Sequence, residues 1–281
     1  MFLSEGTNLL EAVSNDGARI RATAHGGQLL SWSPSASDFD LLFVSSLASF
    51  APGSAIRGGV PVIFPQFADR GPLQKHGFAR NVIWQPVADQ PPGQLRFELR
   101  ANANIRQFWD HEFALSVTMC ARGDELSLEL NVAGDALSPE TMAAFHTYIR
   151  VPDVRDAHVA GLEAVPYIDT SAGRRHRSPD GTAIRFGREI DRIYTHGPLV
   201  DGRAKTCRLI TPDYEIHVSH AGFTDTVVWN PGPDVAARIG DLGAGEWQHF
   251  VCIEGGVITQ PLISSPEWSG TQTLRYVPRS P

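Results

Sequence analysis

Residues able to move a proton stand in two apolar runs. Gln248-His249-Phe250-Val251-Cys252-Ile253-Glu254 ends on a carboxyl, and Gly255-Gly256 follow. Partial desolvation tunes the proton affinity of such an acid, and glycine lets backbone approach a ligand closely. Glu254 is therefore either a cleft acid or base, or a solvated strand end. In Phe145-His146-Thr147-Tyr148-Ile149-Arg150-Val151, alternation puts Phe145, Thr147, Ile149 and Val151 on one face. His146, Tyr148 and Arg150 take the other. His146 is either a working imidazole or a hydrogen-bonded edge histidine.

A third candidate lies between Ala55 and Arg80, AIRGGVPVIFPQFADRGPLQKHGFAR, where alternation is lost. Gly58, Gly59, Gly71 and Gly77 share it with Pro61, Pro65 and Pro72, and with the cations Arg57, Arg70, Lys75, His76 and Arg80. Guanidinium groups in such a loop can grip a phosphate bidentately while glycine N–H groups approach it. Alternatively each arginine simply reaches solvent. Val60, Val62, Ile63, Phe64 and Phe67 can anchor the loop to a core.

Other chemistries lack their residues. There is no Walker A, GxGxxG or GxSxG motif, and His111-Glu112 has no second histidine at zincin spacing. His217 and His220 lie three apart on a predicted strand and should face opposite ways. Cys120, Cys207 and Cys252 are odd in number and widely spaced, which suits small core residues rather than a disulfide framework or zinc site. Neither a metal nor an organic cofactor is expected.

The elements that must position these residues are strands. Alternation marks 18–24 after the turn Asn15-Asp16-Gly17, then 95–99, 113–119 and 126–132, the last two joined as a hairpin across Arg122-Gly123-Asp124-Glu125. Further strands are predicted at 145–151, 207–210, 214–219, 226–229 and 248–254. One short helix is predicted near 234–240 with Asp234 as N-cap. Arg174-Arg175-His176-Arg177 reads as a solvated turn. Glycine (26) and proline (20) are abundant, as many turns require. The fold class is all-β, a large antiparallel sandwich or barrel, as a single domain over 1–281.

With 24 Lys plus Arg against 31 Asp plus Glu, the net charge is −7. That balance disfavours nucleic acid and anionic membrane as partners, while leaving room for a local basic pocket. The 42% hydrophobic content suffices for a full core. Met1 to Leu10 lacks the basic region of a secretory signal, and no run of about 18 apolar residues occurs. A reduced, cytoplasmic monomer is expected.

Together these residues form a pattern. IRGGVPVIFPQFADRGPLQKHGFARNVIW resembles the signature of the hexose-6-phosphate mutarotases, or glucose-6-phosphate 1-epimerases, the phosphosugar branch of the aldose 1-epimerase family. The likeness continues in order through AAFHTYIRV around His146, EIDRIY around Asp191, DTVVWNPG at 225–232 and VCIEGG around Glu254. It implies a β-sandwich of galactose mutarotase type, with the sugar in a shallow cleft on one sheet. It implies His146 as general acid, Glu254 as general base, and Arg57 and Arg80 on the 6-phosphate. Asp191 would bind sugar hydroxyls and His76 would line the pocket. Lys75 stands where the family often has Gln, adding a cation near the phosphate. Gly232 follows Asn230-Pro231 and bears on the pocket around Trp229, which is expected either to stack on the sugar or to belong to the core.

The implied reaction interconverts the anomers of a hexose 6-phosphate, glucose 6-phosphate foremost, through ring opening and closure. Alternatives are an epimerase for unphosphorylated aldoses, a non-catalytic carbohydrate-binding protein, and a glycosidase using Asp191 and Glu254. The acid and base are expected on opposite sides of the pyranose. His146 is expected to be charged, with Asp191, Glu254 and the phosphate outweighing burial.

Overall fold

The structure, a computed structural model, describes residues 9–37, 39–134, 140–197, 204–260 and 267–279. Most of the segment read for a secretory signal lies outside them. Strict alternation builds the widest sheet. In Ala114–Arg122, Leu115, Val117, Met119 and Ala121 are buried, and in Glu125–Ala133 so are Leu126, Leu128, Leu130 and Val132. These strands pair from Ala114–Ala133 down to Arg122–Glu125, as the predicted hairpin requires. Gln94–Arg100 adds on one side and Glu267–Pro278 on the other, then Tyr214–Ala221 and Lys205–Ile210, in a nine-stranded antiparallel sheet. Within it His217 is half-buried and His220 faces the core, on opposite faces as predicted.

A second, eight-stranded sheet holds the sequence motifs. Asp225–Asn230 and Phe250–Val257 lie at its centre. Ile190–Thr195 flanks the first, while Ala143–Phe145 and Tyr148–Arg150 flank the second. A three-stranded sheet, Leu9–Val13, Arg19–Thr23 and Gln28–Ser33, completes the fold. One apolar cluster joins all three, with Ile20 and Trp32, Val228 and Ile253, and Leu128 and Leu274 among its members. The opposite face of the eight-stranded sheet is apolar in two separate patches, one around Ile63, Ile193 and Val227, the other around Phe43, Tyr148 and Phe250.

Several local expectations are corrected. The run 145–151 is two short strands interrupted at His146-Thr147. The run 248–254 starts later and continues further, because Glu246–His249 is a 3-10 turn and the strand passes through Gly255 and Gly256 to Val257. The helix is Gly232–Ala236, and Asp234 lies inside it. The Asn230 side chain accepts from Gly232 N–H at 3.0 Å, so the turn begins earlier than the Asp234 cap predicted. Arg175–Arg177 is an exposed edge strand rather than a turn, paired with Tyr167–Asp169. A one-turn helix at Ala103–Arg106, capped by Asn102, had no periodic signal to announce it.

The 55–80 stretch is a structured loop, with only Val62–Ile63 as strand. Its glycines are sites of close approach. Gly59 has φ +61°, and a Cβ there would stand 2.1 Å from Leu29 O. Gly77 has φ +71°, and its Cβ would stand 2.1 Å from Phe64 O. Since Gly77 sits between His76 and Arg80, it locks both side chains to the sheet edge. Gly77→Ala is expected to lower stability by more than about 1 kcal/mol, measured by thermal or urea unfolding; an unchanged midpoint would show that the loop conformation is not required.

Candidate active site

Register places the polar residues in two rows on one face of the eight-stranded sheet. Asp191 pairs with Trp229, Trp229 with Cys252, and Cys252 with Tyr148. In the next row Ile193 pairs with Val227 and Val227 with Glu254. His146 is the neighbour beyond Glu254, since the flanking pairs are Phe145–Gly255 and Tyr148–Cys252. Directly opposed residues share a face and touch. The result is a His146–Glu254 contact, Nδ1 to Oε1 3.4 Å, with side chains 8% and 1% exposed. Neither His146 Nδ1 nor Glu254 Oε2 has a hydrogen-bond partner.

Aromatic rings fix the imidazole plane. His146 stacks on Tyr148 at 4.7 Å and 11°, and meets Trp229 edge-on at 5.5 Å and His76 at 5.6 Å. His76 has φ 68°, and its Nδ1 accepts from Ala68 N–H at 3.3 Å, which leaves Nε2 as the protonated nitrogen of the neutral ring.

The cations come from the loop. Arg57 donates from Nε to Asp241 at 3.1 Å and from Nη1 to the Tyr148 hydroxyl at 3.1 Å. Arg80 donates to Lys75 O at 2.8 Å, and its buried Nε has no partner. Burial, with Arg57 adding repulsion, pushes Arg80 down to about 10, so it stays cationic at neutral pH.

All eight residues singled out in the sequence line one hollow of about 240 Å³: Arg57, Lys75, His76, Arg80, His146, Asp191, Trp229 and Glu254. Ligand pockets for drug-sized molecules run larger, about 300–1,000 Å³, so this hollow suits one small polar molecule. Sequence reasoning gave no role to Glu189, to the Val235 and Ile239 wall, or to Asp241, which anchors Arg57. Asp241 is 184 positions from Arg57, and no local pattern joins them. Tyr148 was visible on the His146 face, but its hydroxyl contact was not.

One expectation about the pair is corrected. His146 and Glu254 stand side by side on one wall, as cross-strand neighbours must, rather than across a ring. Burial pulls the proton affinity of His146 well below the usual histidine range, and Arg80 and Arg57 add to this. Burial, with Asp191 nearby, pushes Glu254 well above the usual carboxyl range, against the pull of Arg80. Burial also lowers His76 and raises Asp191. Atoms of His146, Cys252 and Glu254 lie within 4.8 Å of one another, a possible metal grouping. Cys252, however, packs among Phe43, Tyr148 and Phe250, and burial holds its thiol protonated, whereas a metal needs the thiolate.

A hollow on a broad antiparallel sheet, floored by an imidazole and a carboxyl, defines an enzyme of the sugar-isomerising, mutarotase type. The profile of the family described as Aldose 1-epimerase matches residues 9–275, and the chain belongs to that family. It is 33% identical to a protein of Cenchrus ciliaris named "Putative glucose-6-phosphate 1-epimerase", covering 96% of this chain and 86% of that one. An Escherichia coli protein of the same name is 32% identical, over 87% and 82% of the two chains. A crystal structure titled as a "putative mutarotase (YeaD)" from Salmonella typhimurium superposes with a TM-score of 0.85 at 28% identity, covering 96% and 90% of the chains. The sandwich expected from the sequence is thus the fold observed. Among the described residues no helix is long and apolar enough to cross a membrane.

The raised Glu254 carboxyl fixes a sign for stability. The folded chain holds a proton that the unfolded chain releases above about pH 4.3. Stability therefore falls as pH rises from there towards the folded value. Glu254→Gln keeps the shape and removes this titration. Its Tm advantage over wild type is expected to grow from about pH 4 to about pH 8; a flat or reversed difference would contradict desolvation of this acid.

Proposed function

We propose that this enzyme interconverts the α and β anomers of a hexose 6-phosphate, glucose 6-phosphate foremost. The observation that carries the reading is that Arg57 and Arg80 share one hollow with the His146–Glu254 pair. A neutral sugar offers no charge to offset two neighbouring guanidiniums, one with a buried unpartnered Nε. A phosphate offers bidentate, charge-assisted acceptors to both. The names of the curated relatives support the same substrate.

Mutarotation needs a proton removed from the C1 hydroxyl and one delivered to the ring oxygen O5. Both oxygens are bonded to the same carbon, so neighbouring groups on one wall reach them together. Glu254 as carboxylate takes the hydroxyl proton while His146 protonates O5, and the C1–O5 bond breaks to give the aldehyde. Rotation about C1–C2 and the reverse transfers give the other anomer. Each positioned transfer contributes roughly 10²–10⁴-fold. Asp191 and Glu189 accept from sugar hydroxyls, Lys75 and His76 border the phosphate end, and Trp229 covers an apolar sugar face. No cofactor takes part in these steps. The three free cysteines, two of them buried, fit a reducing cytoplasmic setting, and the chain acts as a single-domain monomer in this reading.

The phosphate also sets the working protonation state. Arg80 and Arg57 depress His146 in the empty hollow. A bound dianion offsets both and favours the imidazolium, moving the pair's single proton from Glu254 towards His146. The coupled pair titrates as a unit: activity falls in acid when it gains a second proton and in alkali when it loses its only one. The alkaline limb of kcat is expected at higher pH with glucose 6-phosphate than with glucose; coincident limbs would contradict the coupling.

Exchange NMR or polarimetry of anomer equilibration tests the reading directly. Acceleration is expected for glucose 6-phosphate well beyond that for glucose, and equal rates would remove the phosphate role. Glu254→Gln and His146→Asn should each lower kcat by roughly 10²-fold or more. Arg80→Ala should raise KM for the phosphosugar far more than KM for glucose.

A further inference from the structure

Behind the acid–base pair, the core between the sheets contains a line of hydrogen-bonded polar side chains. Gln272, fully buried, comes from Glu267–Pro278 of the nine-stranded sheet, in a row whose other inward members are Gly270, Leu274 and Tyr276. Its oxygen accepts from the Thr147 hydroxyl. Its nitrogen donates to Ile253 O at 3.0 Å and to His220 Nε2 at 2.8 Å. His220 Nδ1 donates to Thr226 Oγ1 at 3.0 Å, and that hydroxyl donates to His196 Nε2 at 3.0 Å. The assignment requires neutral His220, and burial holds it at about 3. Both donors and the acceptor of the amide are then satisfied in one orientation.

Thr147 and Ile253 are the chain neighbours of His146 and Glu254. Alternation points them into the core where His146 and Glu254 point into the hollow. Ile253 N–H also donates to Thr147 O at 3.2 Å. Regular strand is interrupted at His146-Thr147, so the ladder alone does not fix this step of the chain. The amide from the facing sheet spans the gap and holds both strands at once.

We propose that Gln272 is a positioning residue for the reaction: by tying Thr147 to Ile253 from behind the sheet, it sets the separation and mutual aim of His146 and Glu254. The inference rests on the acid–base reading of that pair. Gln272 touches no substrate and lies away from Arg57 and Arg80, so it governs kcat and not phosphate binding.

Thr147→Val removes the hydroxyl at nearly constant volume, Thr147→Ser keeps it, and Gln272→Leu removes the whole clamp. Thr147→Val and Gln272→Leu are expected to lower kcat for glucose 6-phosphate roughly ten- to a hundredfold, with KM within about twofold of wild type. Thr147→Ser should retain most of kcat. The NMR titration of His146 should move in Thr147→Val and stay in place in Thr147→Ser. A purely structural role predicts a lower Tm with kcat and the titration unmoved, and that result overturns the proposal, as do equal kcat losses in the two Thr147 variants. If Gln272→Leu does not fold, the Thr147 pair decides. If wild type accelerates no anomer exchange, the enzymatic reading fails, and the His146 titration alone decides the clamp: moved only in Thr147→Val supports it, unmoved in both overturns it.

Discussion

An imidazole and a carboxyl, both buried and in contact, are the constraint around which this molecule is built. Two such groups in an apolar surrounding resist ionisation, because each loses its water. They can stay close only where neighbouring backbone holds them there. Here the central strand carrying Glu254 and the step between Ala143–Phe145 and Tyr148–Arg150 beside it do this, and a one-residue slip would turn Glu254 to the core and Ile253 to the hollow. The register fixed by Val227–Glu254 and Tyr148–Cys252 therefore determines the chemistry as directly as the identities of the two residues.

The unsatisfied atoms show where that constraint is unresolved. Among the described residues seven buried side-chain polar atoms lack a partner, and three of them, Arg80 Nε, His146 Nδ1 and Glu254 Oε2, belong to the same hollow. Folded proteins satisfy nearly all such groups. Their concentration beside an open volume marks a place completed by a ligand. The contrast with Asp225 is instructive: equally buried, its Oδ2 accepts from Ile258 N at 2.9 Å, Thr259 N at 3.0 Å and the Thr224 hydroxyl at 2.9 Å, and its Oδ1 from the Thr259 hydroxyl at 2.5 Å, so both oxygens are partnered.

Period-two alternation made the nine-stranded sheet readable, because one of its faces is core and the other is not. The eight-stranded sheet has apolar patches on both faces, so alternation fades there and strand limits were misjudged. Gly255-Gly256 looked like a stop, yet a Cβ at Gly255 would stand 2.8 Å from the His220 ring, so the glycine serves packing within a central strand. Motif order brought the eight site residues together, but sequence shows which ions are near in a motif, not how much water is excluded, so the depth of the burial acting on His146 was not legible. Asp241 and Gln272 act across long sequence separations and carry no local sign of doing so.

In the proposed reading the same two cations serve binding and proton placement. They add to the burial that lowers the proton affinity of His146, while burial keeps a proton on Glu254 against the pull of Arg80. An anion that offsets them moves that proton towards His146. A ligand lacking that charge fills the hollow without moving the proton. In that reading, discrimination in favour of a phosphosugar arises in the chemical step as well as in affinity. It needs no part of the sheet to move, because the groups that change state are already in contact.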